Sequence, residues 1–426
     1  MLIEQLRQQQ KQVHDLFVKV QGNARIIVLT EGGAAVSFEW YQTYISVYMV
    51  ALGVTAMQIG WLESVLIFTQ VISTLLGGYF ADRFGRKRVL VVFDILCWGV
   101  PMFLYAIARN PWYFLLGRFI NGFVYFVIPS FQCLFVEDVP PEHRSAVFGL
   151  LQFLTSAARL LAPVAGLLVA ALGLIPAGRA IMATVMVSSV AIAIVRQFTL
   201  EETTMGRERM STTAGIRPGE LIRQYRAAIR LMLVNRQVMT FMMTRNLLRF
   251  TMVMWSTYSA IYLIDGRGIG LAESTVALFP FISALVTMGM ILLVAGRLQG
   301  QHVFSNLVVG QLVGIVAAIF FILSPAGTIW WAVLWAVANA VSVALFRPAN
   351  ESYWANIIGD HERALVFSAS GALMSLFSLP AGPLAGALYT LVPRGPFVLG
   401  ILLQAIALAM TWRLRTMDDK QEIENP

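Results

Sequence analysis

Twelve runs of apolar residues, each about 20 residues or longer, constrain this chain more than any other feature of its sequence. They cover residues 24–50, 57–80, 89–108, 111–136, 145–172, 177–199, 238–264, 273–295, 302–324, 329–355, 364–391 and 395–415. An α-helix of that length crosses the hydrocarbon core of a bilayer and satisfies its own backbone hydrogen bonds there. The sequence therefore predicts an all-α integral membrane protein with twelve transmembrane helices.

The composition excludes an ordinary soluble protein. Hydrophobic residues make up 58% of the chain and charged residues 13%, whereas soluble domains carry about 25% charged residues. The only two cysteines, Cys97 and Cys133, both lie inside apolar runs, where we expect small buried side chains and not a disulfide. No histidine lies in the middle of a run, so we expect no metal site.

The basic residues fix an orientation. With the loop at residues 81–88 placed in the cytoplasm, four of the 31 Lys and Arg fall in outer loops, five within runs and 22 on the inner side. Positive charge accumulates on the cytoplasmic side of membrane proteins, so we expect both termini in the cytoplasm and the protein in the inner (plasma) membrane. Because these residues flank membrane segments, we expect no nucleic-acid partner.

One long polar break, at residues 200–237, divides the runs into two sets of six. The predicted organisation is an N-terminal segment at 1–23, a six-helix bundle at 24–199, a cytoplasmic linker at 200–237, a second bundle at 238–415 and a cytoplasmic tail at 416–426. The N-terminal segment is either an interfacial amphipathic helix or a solvated tail. The linker restarts at Pro218 with an amphipathic pattern.

The two sets repeat one another. The stretch RSAVF from Arg144 aligns with RALVF from Arg363 at an offset of 219, and APVAG from Ala162 aligns with GPLAG from Gly382 at an offset of 220. Parallel halves of this kind are related by an axis along the membrane normal and hold a site between them. The sequence therefore predicts two pseudo-symmetric six-helix bundles.

Ionisable residues inside the runs indicate a route across the membrane. Nine of them lie well inside, namely Glu31, Glu39, Asp94, Arg118, Arg159, Arg245, Arg249, Arg347 and Glu351. Each would cost about 2.5–3.5 kcal/mol if it faced lipid alone, and together they would cost roughly 25 kcal/mol. They must therefore form pairs or line a hydrated pathway, and the second possibility predicts transport.

The first run carries the candidate proton site. Glu31 and Glu39 lie about 12 Å apart along a helix, and Gln42 continues a polar stripe from Glu39. A carboxyl group held away from water can bind and release a proton. We therefore predict proton coupling at Glu39 and Glu31 and a cavity position for Gln42. The alternatives are that Glu39 permanently neutralises an arginine and that Glu31 forms a structural pair.

The fourth and fifth runs supply cationic and polar groups. Arg118 and Tyr125 lie on one face of run four, and Glu39 is the candidate partner of Arg118 in depth, although a structural bond between helices is an alternative. Arg159 lies near the centre of run five. We predict that Tyr125 and Arg159 line the cavity, with Arg159 either a substrate anchor or a partner of Glu39 or Asp94.

In the second half of the chain the balance of charge becomes positive. Arg347 and Glu351 are four residues apart and can pair on one helix. That leaves Arg245 and Arg249 without an evident acid. They are predicted either to face the cavity, where a guanidinium suits a carboxylate or phosphate, or to extend towards the inner interface.

The loop between runs two and three carries the most specific pattern. Its sequence, GYFADRFGRKRVL from Gly78, resembles the G-x-L-x-D-R-x-G-R-K/R-x-x-L signature of the major facilitator superfamily, with Phe80 in place of the leucine. The resemblance implies alternating access by two rocking bundles. It also implies that Asp82 and Arg86, with Glu137 and Arg144, are gating residues and not substrate contacts.

Two weaker motifs resemble one branch of that superfamily. Arg118 and Gly122 match the Arg-x-x-x-Gly motif of proton-coupled members, with Val124 replacing a further glycine. The stretch APVAG from Ala162 resembles the Gly-Pro-x-x-Gly motif of the antiporters, with alanine in place of the first glycine. The resemblance is closest to the bacterial drug:proton antiporters, and it implies a proton-coupling role for Arg118.

These observations lead to one functional hypothesis and two alternatives. The hypothesis is a proton-coupled secondary transporter that exports a small amphipathic organic solute, with the proton as coupling ion and no cofactor. The alternatives are uptake of an anionic metabolite held by Arg159, Arg245 or Arg249, and a non-transporting membrane receptor. An enzyme is not expected, because no nucleophile–base constellation lies at membrane depth. We expect a monomer whose partners are a small-molecule substrate and the lipid bilayer.

Overall fold

The computed structural model describes residues 21–137, 139–213, 232–294, 303–358 and 363–424, together with residues 223, 226, 227, 229 and 230. The predicted interfacial helix at 1–23 and the restart of the linker at Pro218 lie largely outside these residues and stay predictions. Throughout the described part the secondary structure is helical, with no strand.

Twelve long helices follow one another along the described parts of the chain. The first half contains α1 (Gly22–Ala51), α2 (Ala56–Phe84), α3 (Arg86–Ala106), α4 (Pro111–Val136), α5 (Pro141–Ala158 continuing to Ala162–Leu172) and α6 (Leu174–Thr199). A short linker helix, Thr204–Thr213, follows. The second half contains α7 (Arg236–Ile264), α8 (Glu273–Ala277 continuing to Leu278–Val294), α9 (Val303–Leu323), α10 (Ile329–Asn356), α11 (Arg363–Ser378 and Ala381–Leu391) and α12 (Gly395–Glu424).

Eleven of these helices are long and apolar enough, within the described residues, to cross a membrane. The remaining helix, α1, has 30 residues and therefore spans about 45 Å. Its hydropathy is lower because it carries Glu31, Glu39 and Gln42. The helical fold with its membrane-spanning segments agrees with the architecture predicted from the sequence.

Prolines explain the irregular turns inside α3 and α5. Pro101 has no N–H to donate to the carbonyl oxygen of Cys97, four residues earlier, and a π-helical turn, Ile95–Gly99, lies there. The free Cys97 oxygen accepts a hydrogen bond of 2.7 Å from the Asn121 side chain on α4. In α5, a 3-10 turn at Arg159–Leu161 similarly precedes Pro163. Both prolines therefore shape helices that surround the first half's charged side chains.

The two halves pack closely at the end of the molecule that carries the α1–α2 loop, which we call the outer end following the predicted orientation. There α2 crosses α11 backbone to backbone, because a Cβ atom on Gly60 or on Gly382 would clash with the carbonyl oxygen of the other glycine. Beside this crossing, the Tyr258 hydroxyl of α7 donates to the Ala56 oxygen at 2.7 Å, and Ser64 donates to the Leu379 oxygen at 2.5 Å. The outer end is thus closed.

Asp265, the first residue after α7, connects α7 to α11 at the outer end of the second half. Its carboxylate accepts hydrogen bonds from the Tyr389 hydroxyl of α11 at 3.0 Å and from the backbone N–H of Arg267 at 2.9 Å. Partial burial raises the pKa of Asp265, but these hydrogen bonds, led by the Arg267 backbone, together lower it by more. The pKa of Asp265 therefore stays below its usual range, and the carboxylate is ionised at neutral pH.

Substitution of Gly382 by valine is expected to loosen the outer end, because the new side chain would force α2 and α11 apart. We would measure labelling by a membrane-impermeant maleimide at Ser64→Cys, in a chain whose Cys97 and Cys133 are replaced by alanine. Labelling should rise several-fold with Gly382→Val. The matched control is Gly371→Val on the same helix, since nothing lies within 4 Å of a Cβ at that position. Equal labelling of both variants would contradict the close crossing.

Candidate functional site

An ion pair between α1 and α5 lies near the middle of the first half. The Nε atom of Arg159 is 3.3 Å from Oε2 of Glu39, and the side chains are 49% and 16% exposed, respectively. Next to them, the Trp40 indole N–H donates to the Leu161 oxygen at 3.0 Å, which fixes α1 against the 3-10 turn of α5. Of the partners considered for Arg159 in the sequence, the structure selects Glu39.

Glu39 and Arg159 have the properties of a site that water can reach. A half-exposed guanidinium at this depth would be costly against lipid, so we expect its exposed surface to face an aqueous cavity. Gln42, one turn further along α1, is also exposed, and Tyr125 on α4 is half-buried. Because the outer end is closed, we infer that water reaches these groups from the inner side.

The sequence suggested Glu39 as the partner of Arg118, but in the structure Arg118 pairs with Glu63 of α2. Its Nη2 atom is 2.7 Å from Oε1 of Glu63, and the side chains are 7% and 13% exposed. Arg118 also donates a long hydrogen bond of 3.4 Å to the Tyr41 hydroxyl. The reason is angular: residues 39 and 41 of α1 point in nearly opposite directions, so the face of α1 that meets α4 carries Tyr41.

Sequence reasoning missed Glu63 because it lies close to the start of its apolar run, where an acid is expected to reach the interface. The sequence feature that could have identified Glu63 is its depth in the membrane, which matches that of Arg118. Both α2 and α4 begin at the outer end, at Ala56 and Pro111, and the two charged residues lie equally far along their helices. Residues at equal depth on neighbouring helices can meet, and here they form a pair.

A second buried arginine, Arg196 of α6, neutralises two acids at the inner part of the first half. Its guanidinium lies 2.6 Å from Glu31 and 2.7 Å from Asp94, and it donates to the Thr30 hydroxyl. Only 2% of the Arg196 side chain is exposed. Glu31 therefore occupies the structural pair that was its alternative in the sequence. Arg196 was overlooked because it lies close to the end of α6.

The predicted gating residues meet only in part. Arg86 forms ion pairs with Glu137 and, at 3.8 Å, with Asp82. Thr203, at the start of the linker, accepts a hydrogen bond from Arg86 at 3.0 Å and donates one to Glu137 at 2.6 Å. Arg144 is exposed and donates to the Val139 oxygen, and among the described residues it makes no ion pair with this cluster.

In the second half, the predicted pairing of Arg347 with Glu351 is wrong. Glu351 of α10 pairs with Arg245 of α7 at 3.2 Å, and the Arg245 guanidinium also lies over the Trp354 ring at 5.2 Å. Glu351 pairs with Arg245 on the other helix, and not with Arg347 on its own helix, because aromatic rings line the face that α7 and α10 share. These rings hold the Arg245 guanidinium against Glu351.

Arg249 and Arg347 lie near the Arg245–Glu351 pair in sequence but do not take part in it. Arg249 is half-buried and Arg347 is exposed, and neither has an ion-pair partner within the described part of the chain. The second half therefore presents uncompensated positive charge, whereas every buried arginine described above in the first half has an acid.

Comparison with known proteins identifies the family. The family model "Major Facilitator Superfamily" matches residues 28–337. Multidrug resistance protein 2 of Bacillus subtilis (strain 168) is 21% identical over 378 residues, which are 87% of this chain and 90% of the relative. A Na+, Li+, K+/H+ antiporter of Planococcus maritimus is 32% identical over 150 residues, but these cover only 32% of this chain and 34% of that protein.

The fold is also found in a solved structure, that of a variant of the nucleoside transporter NupG. It aligns with a TM-score of 0.71 at 14% identity, over 92% of this chain and 98% of NupG. The likeness at this identity concerns the fold alone. The family match, together with the relatives, makes the chain a multi-pass membrane transporter and not an enzyme. The chain belongs to the major facilitator superfamily.

Proposed function

We propose that this transporter exports a small amphipathic organic solute in exchange for protons. The observation that supports the proposal best is the Glu39–Arg159 pair, in which a carboxylate inside the first apolar run contacts a half-exposed guanidinium while the outer end is closed. The names of two relatives, a multidrug resistance protein and a cation/H+ antiporter, agree with it. The protein would act as a monomer in the plasma membrane, with both termini in the cytoplasm and with no cofactor besides the proton.

The exchange follows because the solute and the proton compete for Glu39. With the outer end closed, the solute enters from the inner side and contacts the cavity residues Glu39, Gln42, Tyr125 and Arg159. When the molecule opens outward, a proton from outside converts the Glu39 carboxylate to a carboxylic acid, its ion pair with Arg159 is lost, and the solute leaves. After the molecule returns, the proton departs to the cytoplasm and the ion pair forms again.

The inner cluster of Asp82, Arg86 and Glu137 supplies the gate in this cycle. It joins the end of α2, the start of α3 and the end of α4, and Thr203 attaches the linker to it. Gly85, at a φ of +89°, makes the sharp turn between α2 and α3 that only glycine adopts readily. The cluster would therefore transmit a movement of α2 to the linker and the second half. Arg144 would join it only after rearrangement.

Replacement of Glu39 by glutamine is expected to reduce transport driven by a pH gradient at least tenfold, because the amide cannot carry a proton. We would measure flux of ethidium and rhodamine in proteoliposomes with an imposed pH gradient, and exchange of the same dyes without a gradient. Exchange should persist, since the amide side chain still binds solute. Glu273→Gln, which alters an exposed carboxylate at the outer end of α8, serves as the control. Intact gradient-driven flux with Glu39→Gln would rule out this role for Glu39.

A second candidate function, transport of an organic anion, is favoured by Arg249 and Arg347. The Arg245–Glu351 pair fixes the register between the antiparallel helices α7 and α10. One turn further from the inner end, Arg249 on α7 and Arg347 on α10 follow on the same faces. Two guanidinium groups at one level without an acid suit a carboxylate or phosphate group.

This candidate predicts that succinate, citrate or inorganic phosphate raises the thermal unfolding temperature of the purified protein by several degrees. Arg249→Ala should abolish the effect, because half of the proposed anion site is lost. Arg236→Ala, on the exposed inner start of the same helix, should retain it. If the unmodified protein shows no stabilisation by these anions, or if both variants respond alike, the anion candidate is rejected.

A further inference from the structure

The ion pair between Glu63 and Arg118 has no part in the exchange described above, although it is better buried than the pair of Glu39 with Arg159. Both of its side chains are almost fully enclosed, and the shortest distance between them is 2.7 Å. The Nε atom of Arg118 is buried without a hydrogen-bond partner, so the guanidinium depends mainly on Glu63 for compensation. An acid enclosed in this way is expensive unless it stays paired or becomes neutral.

The groups around the pair are aromatic and uncharged at neutral pH. Tyr41 of α1 contacts Arg118 through its hydroxyl, and its ring stacks on Tyr105 of α3 at 6.5 Å. Tyr258 of α7 approaches from the second half. Within the described part of the chain, Glu63 is therefore the one carboxylate that faces Arg118, and a proton taken up there would land on Glu63.

Glu63 also lies at the crossing that closes the outer end. It follows Gly60 by three residues, and a Cβ atom on Gly382 of α11 would be 3.2 Å from the Cβ of Glu63. The next residue, Ser64, is bonded to the Leu379 oxygen of α11. The same turn of α2 thus holds α11 on one side and Arg118 of α4 on the other, and separation of α2 from α11 would admit outside water to Glu63.

From these contacts we propose that Glu63 is a second proton-binding carboxylate, loaded from the outer side when the α2–α11 crossing opens, and that its pairing with Arg118 stabilises the closed crossing. The inference rests on the proposed function, in which protons drive transport. A proton from outside water binds the Glu63 carboxylate and forms the acid, while Arg118 keeps its charge and its contact with Tyr41. When this proton returns to the outside water, the ion pair re-forms and the crossing closes again.

The direction of coupling follows from the closed structure. Here Glu63 and Arg118 are in contact, and the contact is an ion pair when Glu63 is a carboxylate. A protonated Glu63 would leave the Arg118 charge enclosed without a counter-ion, and this favours the state in which water reaches it. Acidic conditions should therefore shift the molecule towards the outward-open state, even in the absence of any solute.

The test measures the outer end directly. Spin labels would be attached to Trp112→Cys and Leu391→Cys, two strongly exposed positions at the outer ends of α4 and α11, in a chain that lacks Cys97 and Cys133. In nanodiscs without solute, the distance between labels should lengthen by several ångströms as the pH falls from mildly alkaline to mildly acidic. Glu63→Gln should show the long distance at every pH, and Glu63→Asp should keep the pH response.

The outcomes separate this inference from the proposed function. If Glu63→Gln follows the pH profile of the unmodified protein, or if the unmodified protein shows no pH response, the role of Glu63 is refuted. Neither result bears on the proposed proton role of Glu39, which is tested by the gradient-driven flux of Glu39→Gln. Conversely, flux that ignores the pH gradient would refute the proposed function while a response of the outer end at Glu63 could still be observed. Glu63→Asp guards against a folding defect, because it preserves the carboxylate.

Discussion

The cost of a charge in hydrocarbon governs this structure. Each buried arginine described in the first half is compensated: Arg196 by two acids, Arg118 by Glu63 and Arg86 by Glu137. Every one of these pairs joins different helices, so neutralising the charges also fixes how the helices are arranged. Since lipid offers no hydrophobic drive for helix association, polar contacts of this kind, together with small residues, determine which helices meet.

The sequence predicted the framework well, for physical reasons. Apolar runs reveal membrane helices because the bilayer demands length and hydropathy, and both properties are local. The loop from Gly78 is recognisable because its charges and glycines are close in sequence; the structure brings Asp82 and Arg86 together, although the farther residue Arg144 stays apart. The repeat from Ala162 and Gly382 marked two places where the halves pack, at α5 against α8 and at α2 against α11.

The partners of charged residues could not be predicted, because they depend on helix rotation and on packing between distant segments. Glu39 and Tyr41 are two residues apart, yet only Tyr41 faces Arg118. The sequence placed Arg347, on the same helix, beside Glu351, whereas aromatic packing between α7 and α10 brings Arg245 into contact with Glu351. An acid near the end of a run, such as Glu63, also looks like an interface residue until the neighbouring helix is in place.

Glu39 and Glu63 differ in a way that bears on function. A buried ion pair is often no more stabilising than apolar side chains of similar size, so stability alone gives little reason for Glu63 and Arg118 to be where they are. What an ion pair offers, and an apolar contact does not, is a state that one proton can change. In the proposed cycle, Glu39 holds its arginine where water reaches it with the outer end closed, and Glu63 holds its arginine where water would arrive only after that end has opened. An alternating-access carrier needs sites that are accessible from the two sides in turn, and we propose that these two pairs supply them.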